Sequence, residues 1–325
     1  MFALYIPQYF PDYVGGGERL VQLTAAGLTE CGEDVTIITG GEGEGYEVGG
    51  IPVRRVPMER GQHWTELAPR RDALAALLAE LEPKVLQTTT VAGLHVLGDL
   101  ARQRQVALGM AATEYGAICE HRTLVRPAGA RCAGPTSLAG CFTCGLECGR
   151  RRDRLLARTG RVLPAVAAHR LTRVASRVAG RPFAAQLDWW RQAQVRDARR
   201  RHALSSLVAF ITPTPWTRDL ITPHLSPRTQ ALAIMHPLPD ALRTPGPKAT
   251  PQDALRVGFV GRPLPFKGLH VLLEAIESLA GRAPVQLEVH APSNQGELGE
   301  YWRPQRAARP PRGRGGGRRR GVVGG

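Results

Sequence analysis

Short apolar runs alternate with helix-period stripes along most of this chain. Ala3 to Ile6 is apolar and β-prone, and Val35 to Thr39 is β-branched. Between them, Leu20, Leu23, Gly27 and Cys31 recur at helical spacing, which predicts a helix over Arg19–Cys31 and a βαβ unit over residues 1–40. The alternation continues with a strand at 51–57, a helix striped by Leu74, Leu77, Leu78 and Leu81 that Pro83 ends, and a strand at Val85–Thr88. A helix over about 91–103 and a strand at Val106–Ala111 follow, and Leu207 to Ile211 reads as a further buried strand. Near the other end, Leu255 to Val260 is a strand closed by Gly261. Leu269, Leu272, Leu273, Ile276 and Ala280 stripe the next helix, and Val285 to His290 is another strand. Serial βα units argue for an α/β, doubly wound parallel sheet, with ligands at the carboxyl ends of its strands.

Two turns in this pattern carry candidate chemistry. Gly15, Gly16 and Gly17 lie between the first strand and the first helix, where glycine lets backbone N–H groups approach a ligand at a helix N-terminus. GRPLPFKG joins the strand at 255–260 to its helix and supplies two cations, Arg262 and Lys267. A strand, a glycine turn, a helix N-terminus and two cations suit a diphosphate. A solvated loop with ordinary basic residues fits the same spacing.

These stretches resemble glycosyltransferase family 4 of the GT-B glycosyltransferases. The motifs that carry the resemblance are QYFPDYVGGGERLVQLTAAGL followed by GEDVTIIT, and GR…KG before a leucine-striped helix. The resemblance spans about residues 1–300 and implies two Rossmann-like domains facing across a cleft, the second one incomplete. It implies an N-terminal domain over 1–239, a Pro-rich linker over 240–254, and the start of a nucleotide-sugar-binding domain over 255–300. The implied activity is transfer of a sugar, with retained anomeric configuration, from a nucleotide-sugar donor to a glycan or lipid-linked acceptor in cell-surface polysaccharide or glycolipid synthesis. Gly15, Gly16, Gly17, Arg262 and Lys267 inherit the donor diphosphate, and no catalytic metal is implied.

The resemblance also marks departures. The family's His-Asp pair falls here on Thr113-Glu114. Threonine has no imidazole to donate from or to act as a base near neutral pH, so no catalytic residue is assigned at 113. His121, nearby but off-register, reads as a solvated loop histidine. The family's downstream pair of glutamates, E-x7-E, has no counterpart after Lys267. On that reading the chain as written binds nucleotide weakly and transfers no sugar.

Five of the six cysteines lie in the insertion over 113–148, among them the pair CFTC. Such clustering is open to a structural zinc, an Fe–S cluster or free thiols. The resemblance favours Cys119, Cys132, Cys141 and Cys144 as a zinc set.

The net charge is +15, but residues 301–325 alone hold eight arginines and no acid. That tail is Arg, Gly and Pro without a period, read either as a nucleic-acid-binding arm or as GC-rich DNA translated out of frame, the latter preferred. Much of the remaining excess lies in the helical stretch 150–204, where Arg170, Arg173, Arg177 and Arg181 form one stripe. A solvated face is the first reading of that stripe, and peripheral contact with anionic lipid the second. No apolar run approaches the ~18 residues of a membrane span, and no basic region precedes an N-terminal apolar run, so a cytoplasmic protein is expected. Nucleic acid is not an expected partner. The rival function classes are a non-catalytic remnant that binds nucleotide or acceptor, and a basic nucleic-acid-binding protein.

Overall fold

The computed structural model describes residues 1–57, 67–119, 122–126, 131–134, 141, 144, 197–238, 254–261, 267–279, 282 and 284–290. The chain divides into two units, Met1–Arg243 and Thr244–Gly325.

The first unit is built on one eight-stranded sheet. Its elements run β1 (Phe2–Ile6), α1 (Gly16–Glu30), β2 (Val35–Gly40), β3 (Tyr46–Val48), β4 (Ile51–Val56), α2 (Arg71–Leu81), β5 (Val85–Thr88), α3 (Leu94–Gln103) and β6 (Ala107–Ala111). Residues 197–204 are helical, and β7 (Ala209–Thr212), α4 (Pro215–Ile221) and β8 (Gln230–Ala233) complete it. The strand order is β3-β4-β2-β1-β5-β6-β7-β8. All neighbours pair parallel except β3, which pairs antiparallel with β4 at the edge.

The two-residue period of β1 sends its side chains into two separate cores. Leu4 and Ile6 pack with Val21 and Ala25 of α1, together with Ile37 and Val53. Ala3 and Tyr5 pack on the other face with Leu74 and Leu78 of α2, Leu97 of α3 and Phe210 of β7. Helices therefore cover both faces, and a strand buried on both sides must read as an unbroken apolar run. That is why β1 and β2 are the most legible strands in the sequence.

Several expectations shift in detail. Helix α1 starts at Gly16, three residues before the expected Arg19. Its buried apolar positions are Leu20, Val21 and Ala25, while Leu23 and Gly27 are half-buried and Cys31 is exposed. The strands β3 and β8 had no counterpart in the sequence reading. Of the stretch 150–204, residues 150–196 lie outside the described ones, and so does the tail 301–325. No helix among the described residues is long and apolar enough to cross a membrane.

The second unit shows β9 (Leu255–Val260), α5 (Leu269–Ser278) and β10 (Val285–His290). β9 and β10 pair parallel, Leu255 opposite Val285 through Val260 opposite His290, with α5 as the connection between them. Leu269 is its one buried residue on α5 among the described positions.

Candidate functional site

The order of strands in the first unit locates a crevice. From β1 the chain crosses to β2 and β4 on one side, then returns through α2 to β5 on the other side of β1. A reversal of this kind is where ligands bind in open α/β sheets, just outside the strands' carboxyl ends. The loop that leaves β1 at this point ends in Gly15, Gly16 and Gly17.

Gly15 is the N-cap of α1 in an extended conformation, φ −155° and ψ −177°. A Cβ placed on it would lie 2.6 Å from Glu18 Oε2 and 3.3 Å from the Tyr13 ring, so a side chain there would displace the Glu18 carboxylate. Gly16 and Gly17 differ. Beyond their chain neighbours and their own helix backbone, no heavy atom of the described residues lies within 4 Å of where their Cβ atoms would be. The first turn of the helix thus presents bare backbone to open space, the arrangement an incoming anion needs. Glu18 occupies the same turn and is buried. Its carboxylate folds back towards the N-cap, as the third helical residue does in a capping box.

The floor beside this turn is polar. Tyr9 and Thr39 are each 1% exposed, and neither hydroxyl has a hydrogen-bond partner among the described residues. Burial pushes the Tyr9 phenol up to about 12, and Tyr46, Arg19 and Glu18 all act on it electrostatically. A buried cation, Arg70 at 3% exposure, precedes α2. It pulls against the burial that raises Tyr5 to about 12. Sequence reasoning did not single out Tyr9, Thr39 or Arg70, because their signal is burial.

Loops from neighbouring strand ends are tied together along this edge. Thr113 Oγ1 donates to Thr89 O at 3.4 Å, and Ala112 N donates to Ile211 O at 2.8 Å. Thr113 therefore serves as a strand-end strut. Glu114 pairs with Arg122 at 3.3 Å, and burial raises its carboxyl above the usual range while Arg122 pulls it down. The chain's strand ends are thus rich in buried threonines, with Thr88, Thr89, Thr90 and Thr212 all below 9% exposed.

The zinc expectation for Cys119, Cys132, Cys141 and Cys144 finds no support among the described residues, where no three metal-binding side chains gather. Cys119 and Cys132 instead pack against the larger core, and Cys132 Sγ donates to Gly134 O at 3.3 Å. Burial pushes the Cys141 thiol up, and Cys132 and Cys119 act on it in the same direction.

In the second unit, Lys267 is exposed and directly precedes Gly268, the N-cap of α5, whose φ is +76°. Arg262 and His121 lie outside the described residues.

Residues 15–137 match the family model of the glycosyl transferase 4-like domain. No curated protein matches the chain. Among solved structures, sucrose-phosphate synthase from Thermosynechococcus elongatus is similar with a TM-score of 0.53 and 16% identity, over 94% of this chain and 66% of that one. HepE of Anabaena, solved in complex with UDP, is similar with a TM-score of 0.53 and 11% identity, also over 94% of this chain and 66% of that one. The chain thus spans a little under two thirds of the length of either protein. Residues 15–137 thus match a glycosyl transferase 4-like domain, and the fold is similar to that of these glycosyltransferases.

Proposed function

We propose that this chain takes part in transfer of a sugar from a nucleoside-diphosphate sugar to a glycan or lipid-linked acceptor of cell-surface polysaccharide or glycolipid synthesis, with retention at the anomeric carbon. The observation that carries the reading is the bare first turn of α1, where Gly16 and Gly17 face open space at the reversal point of the sheet. Two successive backbone N–H groups at the positive end of a helix stabilise a diphosphate without a side chain. The buried hydroxyls of Tyr9 and Thr39 and the buried cation Arg70 add donors and charge in the same unit.

In the second unit, Lys267 directly precedes the N-cap of α5, and the family resemblance assigns Lys267 and Arg262 to the diphosphate. A leaving diphosphate gains charge as the glycosidic bond to the donor breaks. Fixed cations and helix N-termini stabilise that charge more than they stabilise the intact donor. The uridine nucleotide bound in the Anabaena protein makes UDP the first diphosphate to test.

Calorimetric titration of UDP and GDP into the purified chain tests the reading. Saturable binding of at least one diphosphate, competed by its nucleotide-sugar, is the expected result. Absence of binding to either would remove the nucleotide site and the transfer reading with it.

A further inference from the structure

On the face of the sheet opposite α1, one guanidinium holds α3 against the residues that lead into β7. The sequence builds the close approach. Gly98 of α3 lies so near Ser206 that a Cβ there would stand 3.0 Å from Ser206 Oγ and 3.1 Å from Ser206 Cβ. Beneath this contact, Leu97, Leu100 and Ala101 of α3 join Ala203, Leu204 and Leu207 in the larger core.

At its rim, His95, Asp99 and Arg102 follow one another four and three residues apart, which puts them on one face of α3. Arg102 reaches across from that face. Its Nη2 donates to Asp99 Oδ1 and lies 2.7 Å from His202 Nε2, while its Nη1 donates to Ser206 Oγ. Ser206 Oγ in turn donates to His202 O at 3.2 Å, and Ser205 Oγ donates to the same carbonyl at 2.7 Å.

The chemistry of these groups fixes the state of His202. A guanidinium has only donors, so the nitrogen 2.7 Å from it must offer a lone pair. His202 is therefore neutral in this contact, with its proton on Nδ1. A proton on Nε2 would set two N–H groups and two positive charges head to head. Asp99 is the one carboxylate among the described residues within ion-pair reach of His202, at 3.5 Å, and Arg102 already engages it. The surroundings add no relief. Burial first, and then Arg199 on the same segment as His202, hold His95 below the ordinary histidine value; His202 acts the same way, and Asp99 only partly opposes them. Acid therefore sets four cations, Arg102, Arg199, His202 and His95, against one carboxylate.

We propose that Arg102, Asp99, His202 and Ser206 form an acid-released clasp between α3 and the segment 197–206. With His202 neutral, one guanidinium bridges acceptors on both segments. Protonation turns the imidazole from acceptor to donor, so Arg102 and His202 compete for Asp99 and the bridge opens. Ala203 and Leu204 anchor the segment in the core, so it loosens in place and does not detach. The sign for His95 agrees. The unfolded chain takes up that proton first, so the contribution of His95 is full above the ordinary histidine range and is lost as pH falls through it. The clasp involves no nucleotide and stands independently of the transfer reading.

Hydrogen exchange on the full chain tests the proposal at about pH 7.5 and about pH 5.5, either side of the ordinary histidine value near 6.5, with intrinsic rates corrected. In wild type, amides of 199–208 should lose protection on acidification by about fivefold or more relative to those of β1, the scale of a screened surface contact. The His202 side chain is 57% exposed, so its replacement leaves the core untouched. His202→Gln keeps an acceptor for Arg102 that does not titrate, and should hold most of the protection at both pH values. His202→Lys places a permanent cation there and should lower protection at about pH 7.5 to the acid level of wild type. Thermal melts at the higher pH check that both variants are folded. An equal acid response in wild type and His202→Gln, an unchanged wild type, or wild-type protection of His202→Lys at the higher pH would each overturn the proposal.

Discussion

Arg55 on β4 holds Asp12 at 2.9 Å, joining an inner strand to the loop that delivers the glycine triplet. The same guanidinium donates to Glu42 O at 2.9 Å and lies 4.8 Å from the centre of the Tyr46 ring. Tyr46 OH in turn donates to Phe10 O. One cation therefore ties the loop after β1 to β3 and to the turn after β2.

Replacing Arg55 should loosen that loop more than it destabilises the fold. Arg55→Ala should cost about 1–3 kcal/mol, because the side chain is largely buried but Asp12 is half exposed and screened. Arg55→Lys should recover the ion pair and lose the stacking on Tyr46. Urea melts measure the cost, and limited proteolysis within residues 9–14 reports the loosening. Wild-type values in both would show that the loop is held by other contacts.

The core prediction is larger. Phe210 is fully buried on β7, in the cluster shared by α2, α3 and residues 203–207. Phe210→Ala should destabilise by about 3–5 kcal/mol through lost burial and a residual cavity. A change below about 1 kcal/mol in equilibrium unfolding would mean that the two faces of the sheet do not pack as described.

Glu114 gives stability a pH dependence whose sign is fixed. Burial raises its folded-state value, and Arg122 only partly offsets this. The folded chain then holds a proton that the unfolded chain releases, so this residue's contribution is greatest below the ordinary carboxylate range. It is lost as pH rises towards the raised value. Glu114→Gln should flatten that loss: thermal midpoints of wild type and variant should diverge in the variant's favour as pH rises above the ordinary carboxylate range. A wild type that gains on the variant as pH rises would show that the Arg122 pair outweighs burial.

How far the sequence reaches follows from burial. β1, β2, β5 and β6 are short apolar runs because helices cover both faces of the sheet, and their positions were readable to within a residue. β3 and β8 lie at the sheet's edges, and Tyr46-Glu47-Val48 and Gln230 to Ala233 carry little apolar signal to read. The start of α1 was misplaced because glycine has poor helix propensity, and the turn is held by tertiary context instead. In the site, the glycine triplet was legible as a pattern. Arg55 with Asp12, Arg70 with Tyr5, and Arg131 with Trp216 are contacts between distant segments, which no local period encodes. For the cysteines, CFTC has metal-binding spacing, while the described residues show Cys119 and Cys132 packed against the core.

The glycine triplet separates structural need from ligand need one residue at a time. At Gly15 a methyl group would strike Glu18 Oε2 at 2.6 Å, so Gly15→Ala should displace the capping carboxylate and lower stability, by about 0.5–2 kcal/mol for a disturbed cap. At Gly16 and Gly17 a methyl group meets nothing within 4 Å, and alanine favours helix over glycine by up to about 1 kcal/mol. Gly16→Ala and Gly17→Ala should therefore leave the thermal midpoint unchanged or raise it. If the bare turn receives a diphosphate, the same methyl groups stand where its oxygens approach the backbone, and UDP affinity should fall by about tenfold or more. Calorimetry and thermal melts on the three variants give the answer together. Undiminished UDP binding in both Gly16→Ala and Gly17→Ala, with melting as expected, would mean that the diphosphate does not rest on this helix.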